Sequence, residues 1–102
     1  MTDISQQRKA LIERILSGAG TASQGERQAA FENIGRTEPL KTIIQKVARQ
    51  PTAVADRDVA AALACGLTED QIFEIVICAA VGQSTRQYDS ARVALESAIS
   101  KE

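Results

Sequence analysis

The chain has 102 residues, of which 44% are hydrophobic and 3% aromatic, with 12 basic and 13 acidic side chains and a formal net charge of −1. This length fits one domain with a modest core, which Leu, Ile, Val and Ala must fill. Without a concentrated positive surface, neither nucleic acid nor an anionic membrane is expected as a partner. The longest apolar stretch, residues 75–81, is too short to span a bilayer.

The first half of the chain predicts three helices. Apolar residues recur at helical spacing over residues 4–16, and Gly18–Gly20 ends this first helix. The run Ser23–Glu26 has the pattern of a capping box, which predicts a short second helix closed by Gly35. Pro39 is suited to the first turn of a third helix, where its missing N–H costs nothing. The apolar stripe of this helix is Leu40, Ile43, Ile44 and Val47.

The second half predicts three more helices. The fourth covers about residues 53–64, and Gly66 stands where a left-handed C-cap is expected. Thr68–Gln71 is a second capping box and opens a fifth helix that is apolar almost all round. Gly82 is expected to end or kink this helix, so that Ser84 caps a last one. With no alternating strand pattern, the chain is predicted to be an all-α bundle of about six helices. One face of the last helix carries Tyr88, Ala91, Leu95 and Ile99.

The order of features from Ala60 to Ile99 supports a resemblance to a known family. A helix end closed by Gly66 is followed by an acidic helix start at Thr68, an apolar helix and a small-residue helix. This order resembles the carboxymuconolactone decarboxylase family, which includes the alkylhydroperoxidase D-like proteins. The resemblance implies an alkylhydroperoxidase D-like fold and a homo-oligomer, a trimer or a hexamer. Residues 37–102 then form the family-like core and residues 1–36 an N-terminal helical arm, within one compact domain.

The redox branch of that family carries a Cys-x-x-Cys-x-x-x-His motif upstream of the Gly-Leu-Thr-Glu turn. At the matching places this chain has Pro51, Val54 and Asp58, and it contains no histidine. Thiol peroxidase activity is therefore not expected, because it needs a reactive thiolate and a resolving thiol. Cys65 and Cys78 are interpreted as packing residues rather than metal ligands, and no cofactor is expected. Two cysteines at unrelated positions predict a reducing compartment, the cytoplasm.

Polar residues near the family-like core leave two interpretations open. Asp58 stands at the place of the family histidine and Glu74 lies within the apolar helix, so each is a candidate general base if burial raises its pKa. Arg86 or Arg92 is the expected partner of Glu74. The simpler interpretation is that all of these residues are helix caps and solvated surface. The candidate ligand-binding residues are Arg57, Arg86 and Tyr88.

Three functions are compatible with the sequence. The predicted one is a non-catalytic family member that acts as an oligomeric scaffold, or as the partner subunit of a companion protein. The alternatives are a small cofactor-free lyase or isomerase acting on a small carboxylate or lactone, and a small-ligand-binding module. A helix that is apolar on every side needs a neighbour beyond its own core, which favours the scaffold. The predicted oligomer interface is Ile72, Ile75, Val76 and Ala79.

Overall fold

The computed structural model describes residues 2–35 and 37–100, and within these ranges the chain is helical and contains no strand. The predicted all-α class is confirmed. None of the helices in the described ranges is long and apolar enough to cross a membrane. In chain order the elements are α1 (Thr2–Ser17), α2 (Gln24–Phe31), α3 (Leu40–Arg49), a 3-10 turn (Pro51–Ala53), α4 (Asp56–Ala64) and α5 (Glu69–Ser100).

Two helices begin at the capping boxes that the sequence predicts. The Ser23 hydroxyl accepts from the Glu26 N–H at 3.1 Å and the Glu26 carboxylate accepts from the Ser23 N–H at 3.4 Å, so the capping box of α2 is formed. Thr68 and Gln71 exchange the same two hydrogen bonds at the start of α5. Gly66, directly after the C-cap of α4, has a φ of +95°, the left-handed conformation predicted there.

The helix α5 continues through Gly82, where the sequence predicted an end or a kink. Gly82 is buried, and a Cβ at this position would lie 2.0 Å from the carbonyl oxygen of Phe31 on α2. The glycine therefore allows the backbones of α2 and α5 to approach closely. Ser84 lies inside the helix and donates its hydroxyl to the Val81 carbonyl at 3.1 Å. The predicted break is wrong, because this glycine serves helix packing and the predicted last helix is the continuation of α5.

The core forms where α2, α3 and α4 pack on the first half of α5. The largest fully buried side chains are Ile43, Ile75 and Cys78. Ala22 and Ala30, from the predicted N-terminal arm, belong to the same buried cluster as Ile75, so the arm packs on the rest of the chain. Residue 36, at the predicted boundary of the arm, lies outside the described residues.

The four residues predicted at an oligomer interface lie in the chain's own core. Ile72, Ile75 and Ala79 are exposed by only 6%, 1% and 1%. Val76 is partly buried and packs against the cluster that α3 and α4 form with α5. These side chains are already covered by the chain itself, so the interface prediction is corrected: the free surface of α5 is its opposite face.

The opposite face of α5 is open to solvent and carries few polar side chains. Phe73 near the start of the helix is 65% exposed and Leu95 near its end is 62% exposed. From residue 87 to residue 100 every side chain is exposed, so the helix extends beyond the core in a molecule of 56 × 28 × 20 Å. We call the side chains that recur every three or four residues on this face the outer row. The outer row is Phe73, Ile77, Ala80, Ser84, Tyr88, Ala91, Leu95 and Ala98.

The helix α1 runs antiparallel to α5 and beside the outer row. Arg8 donates to the Thr85 carbonyl at 3.2 Å, and seven residues later the Ile15 carbonyl accepts from the Cys78 thiol at 3.6 Å. The contact reaches Asp89, whose carboxylate lies 3.6 Å from the Arg8 guanidinium. Helix α5 continues from there to Ser100.

Candidate functional site

Asp58 is held at the start of α4 by a helix cap and an ion pair. Its Oδ2 accepts from the Lys46 ammonium on α3 and from the Ala55 N–H, both at 2.8 Å. The hydrogen bond from Lys46 first, and that from Ala55 second, hold the pKa of the Asp58 carboxyl below its ordinary value. A general base at this place requires a raised pKa, and that condition is not met. The carboxylate instead ties α4 to α3.

Glu74 lies on α5 opposite the loop that joins α1 and α2. Its carboxylate accepts from the Thr21 N–H at 2.9 Å, from the Ala22 N–H at 3.3 Å and from the Thr21 hydroxyl. The Thr21 hydroxyl is the largest cause that holds the pKa of Glu74 below its ordinary value. The expected pairing with Arg86 or Arg92 is wrong. Glu74 fixes a loop that lies far away in the sequence.

The three candidate ligand-binding residues have different surroundings. Arg57 is exposed in the first turn of α4. Arg86 is partly buried and donates to the carbonyl oxygen of Phe31, so it holds the end of α2 against α5. Tyr88 is 52% exposed, and the guanidinium carbon of Arg8 lies 4.1 Å from the centre of its ring. The contacts of Arg86 and Tyr88 are those of residues that fix neighbouring helices.

The two cysteines are free and differ in exposure. Cys65 is exposed at the end of α4, and Cys78 is buried in the core. Burial raises the pKa of the Cys78 thiol, which keeps it neutral and unreactive. Across residues 2–35 and 37–100, no group of three or more His, Cys, Asp or Glu side chains is arranged to hold a metal ion.

Arg27 on α2 is a buried charged residue that the sequence analysis did not single out. Its side chain is 5% exposed. The Nη1 atom donates to the carbonyl oxygens of Ile15 at 3.2 Å and Gly18 at 2.8 Å. The Nε atom is buried and has no hydrogen-bond partner in the described part of the chain, and none of the ion pairs there includes Arg27. Arg27 is therefore buried outside any ion pair among the described residues, and its charge is one of the causes that hold the pKa of Glu74 below its ordinary value.

The guanidinium of Arg27 lines a cavity of about 280 Å³ between α1, α2 and α5. Arg14 and Glu74 also line it, so its wall carries two positive charges and one negative charge. The rest of the lining is apolar or neutral, which makes the cavity a small, mostly apolar space with an excess of positive charge. The apolar and neutral lining residues are Leu11, Ile15, Ala19, Ile77 and Cys78.

A weak signal in the sequence marks Arg27. It precedes Ala30 and Phe31 by three and four residues, so it shares their face of a short helix. Ala30 and Phe31 are apolar, and a charge on their face of a helix needs a buried partner or a path to solvent. The carbonyls that Arg27 contacts belong to α1 and its end, and no local pattern could place them there.

A second cavity, of about 290 Å³, lies between α2, α3 and α5. Its lining is apolar apart from Ser23, Glu26 and Thr37. Ser23 and Glu26 already bond to each other in the capping box of α2. Thr37 is the remaining polar residue of this lining.

Comparisons with known proteins were made at three levels. No family model matches the chain, and no match was found among curated proteins or among solved structures. The resemblance to the carboxymuconolactone decarboxylase family stays a prediction from residues 60–99.

Proposed function

We propose that the protein is a non-catalytic helical scaffold that associates with a second copy of itself through the outer row of α5. The observation that carries this proposal is the exposure of the second half of the row, where Tyr88 is 52% and Leu95 is 62% exposed. Contiguous apolar surface of this kind is a mark of a protein interaction site. We include in this proposal the homo-oligomer that the resemblance to the carboxymuconolactone decarboxylase family implies.

The length of the outer row suits a helix–helix interface. From Phe73 to Ala98 the row extends about 37 Å at 1.5 Å per residue, or roughly three and a half heptads. The row contains no charged side chain, as is typical of the centre of an interface. The second half of the row, from Ser84 to Ala98, is suited to receive another helix.

The pattern of side-chain sizes favours a second copy as the partner. Large and small residues alternate along the last two heptads of the row, as Tyr88, Ala91, Leu95 and Ala98. In an antiparallel pair, the register that places Leu95 against Ala91 of the second copy also places Tyr88 against its Ala98. Each large side chain then meets a small one, so the surface is complementary to itself, as a two-fold interface requires.

The contacts of the two candidate bases support a non-catalytic role. Asp58 and Glu74 each accept hydrogen bonds that lower the pKa and fix neighbouring segments. A carboxylate in this state is a poor proton acceptor at neutral pH. The hydrogen bonds that lower the pKa of each carboxyl also stabilise the fold.

The test is sedimentation equilibrium of the wild type, of Leu95→Glu and of the matched control Val93→Glu. Leu95 and Val93 are 62% and 57% exposed in the single chain, so neither substitution disturbs the core. The two side chains point in nearly opposite directions, about 160° apart around the helix. We expect a dimer or larger oligomer for the wild type and for Val93→Glu, and a monomer for Leu95→Glu.

A wild-type protein that is monomeric at high micromolar concentration would refute self-association. Loss of the oligomer in both variants would also contradict the proposal, because it would place the interface on another face of α5. Circular dichroism of all three proteins shows whether the helices remain folded in each case.

A further inference from the structure

We propose that, in the antiparallel pair, Ile99 of one copy packs on the Tyr88 ring of the second copy, at the mouth of a groove between α1 and α5. This inference rests on the self-association proposed above and brings into the interface a residue outside the outer row. It is carried by the exposure of Ile99, by the position of the Tyr88 ring and by the two-fold symmetry of the pair.

Ile99 is an exposed apolar side chain on the flank of α5 that faces α1. It is 59% exposed and does not belong to the outer row. At 100° per residue it lies about 60° around the helix from the middle of the second half of the row. The same flank bears Thr85 and Asp89, which Arg8 of α1 contacts. Ile99 therefore lies between the outer row and the groove.

The Tyr88 ring is held on this same flank of α5. The guanidinium carbon of Arg8 lies 4.1 Å from the centre of the ring, and Tyr88 is still 52% exposed. Arg8 thus covers one side of the ring through a cation–π contact and leaves the exposed part for another neighbour. An aliphatic side chain on this surface buries apolar area on both partners.

The groove beside Tyr88 favours an apolar neighbour. It has a volume of about 820 Å³ and runs between the first half of α1 and the second half of α5. On its walls Arg8 lies 3.6 Å from Asp89, and Arg92 lies 2.9 Å from Glu96. An apolar side chain at the mouth leaves these charges paired, whereas a charged side chain competes with them.

Two-fold symmetry brings Ile99 and Tyr88 of different copies together. In an antiparallel pair the axis is perpendicular to the plane of the two helices, so the same flank of each helix lies on the same side. The register that places Leu95 against Ala91 of the second copy places its Ile99 level with residue 87. Helical side chains lean toward the N-terminus of their own helix, which for the second copy is the direction of Tyr88. The contact forms twice, once at each end of the interface.

The test is a double-mutant cycle on the dissociation constant of the dimer, measured by sedimentation equilibrium for Tyr88→Ala, Ile99→Ala and the double variant. Within one chain the two residues are about 16 Å apart along α5, so any coupling between them arises between copies. We expect each single variant to weaken the dimer about tenfold or more. The double variant should weaken it by less than the product of the two effects.

The matched control is Val93→Ala. Val93 is 57% exposed on the same helix, and it points away from the middle of the row. This variant should change the dissociation constant by less than about twofold, and it should show no coupling with Tyr88→Ala. Circular dichroism checks that the variants remain helical, as the exposure of Tyr88, Val93 and Ile99 in the single chain predicts.

A second pair of variants tests the part that α1 plays. Arg8→Gln removes the cation from the Tyr88 ring and should weaken the dimer about two- to fivefold. Lys9→Gln removes the same charge from the next residue, which is exposed, and should leave the dimer unchanged. Equal dissociation constants for Arg8→Gln and Lys9→Gln would contradict a Tyr88 ring that Arg8 holds in place for Ile99.

The outcomes separate this inference from the self-association on which it rests. A monomeric wild type would overturn both. A wild-type dimer in which Ile99→Ala behaves like Val93→Ala, or in which the effects of Tyr88→Ala and Ile99→Ala simply multiply, would overturn the contact alone. In a parallel pair Tyr88 lies far from Ile99 of the second copy, so that arrangement gives the multiplicative result.

Discussion

At the scale of single residues, Asp58 and Glu74 connect segments that are separate in the sequence. Asp58 joins α4 to Lys46 on α3, and Glu74 joins α5 to the loop at Thr21. Hydrogen bonds to the ionised forms lower the pKa of both carboxyls. Each therefore stabilises the fold above the pKa of the unfolded chain, and this contribution is lost as the pH falls through the lower pKa of the folded state.

We predict that the free energy of unfolding falls between about pH 5 and pH 3, and that Asp58→Asn makes this fall shallower. Asparagine keeps an acceptor for the Ala55 N–H but loses the charge that pairs with Lys46, so the variant should also be less stable at pH 7. Urea unfolding followed by circular dichroism at several pH values measures both effects.

The control for this prediction is Asp56→Asn. It removes the same charge from the exposed first turn of the same helix. The control should keep the pH dependence of the wild type. An equally steep acid dependence in wild type and Asp58→Asn would show that the contact between Asp58 and Lys46 does not contribute to stability.

These residues also show what a sequence can predict. The Ser23–Glu26 and Thr68–Gln71 caps were predicted because their partners are three residues apart, and local geometry alone brings them together. The partners of Glu74 lie in the loop between α1 and α2, and those of Arg27 lie in and just after the last turn of α1. Their identity depends on how α1 and α2 pack, which no short-range pattern specifies.

At the scale of helices, the close approach of α2 and α5 depends on Gly82. Gly82→Ala would place a methyl group 2.0 Å from the Phe31 carbonyl oxygen. Overpacking of this kind costs about 1–3 kcal/mol, against a gain of about 1 kcal/mol in helix propensity. We predict that the variant is less stable than the wild type by up to about 2 kcal/mol, measured by urea unfolding at neutral pH.

Gly25→Ala is the matched substitution, because a Cβ at Gly25 on α2 meets nothing within 4 Å. It should raise stability by up to about 1 kcal/mol, since alanine loses less conformational entropy in a helix. Opposite signs for the two variants would assign the effect of Gly82 to its contact with Phe31. A stabilising Gly82→Ala would mean that α2 can move away without cost.

The sequence predicted that α5 is apolar all round, but the four interface residues it named are covered by the chain's own core. Ile72, Ile75, Val76 and Ala79 are as apolar as the outer row, so hydrophobicity alone could not separate the two faces. Tertiary contacts make the distinction, because α2 and α3 cover Ile75 and leave the opposite face open. A helix with two apolar faces predicts two neighbours but not which face belongs to which neighbour.

At the scale of the whole molecule, the core and the exposed end of α5 are separable. Among the side chains of α1 that the structure describes, polar contacts with α5 reach Asp89, and every residue from 91 to 100 is exposed. The end of the helix adds little to the core of a single chain. If the outer row is the interface, this segment is retained for association and not for stability of the single chain.

Truncation after Ser90 tests this separation. We predict a folded monomer whose free energy of unfolding lies within about 0.5 kcal/mol of that of monomeric Leu95→Glu, because only exposed residues are removed. Sedimentation equilibrium measures the oligomeric state, and urea unfolding measures the free energy of unfolding. Leu95→Glu is the proper reference, since association itself stabilises the wild type by mass action.

The truncation also separates two explanations for a stable wild-type oligomer. If Tyr88, Ala91, Leu95 and Ala98 form the interface, removal of the last three abolishes association and leaves the core intact. If association uses Phe73 and the first half of the row instead, the truncated protein remains an oligomer. A truncated chain that unfolds would contradict both, because it would show that the exposed end of α5 stabilises the single chain through contacts that its exposure does not suggest.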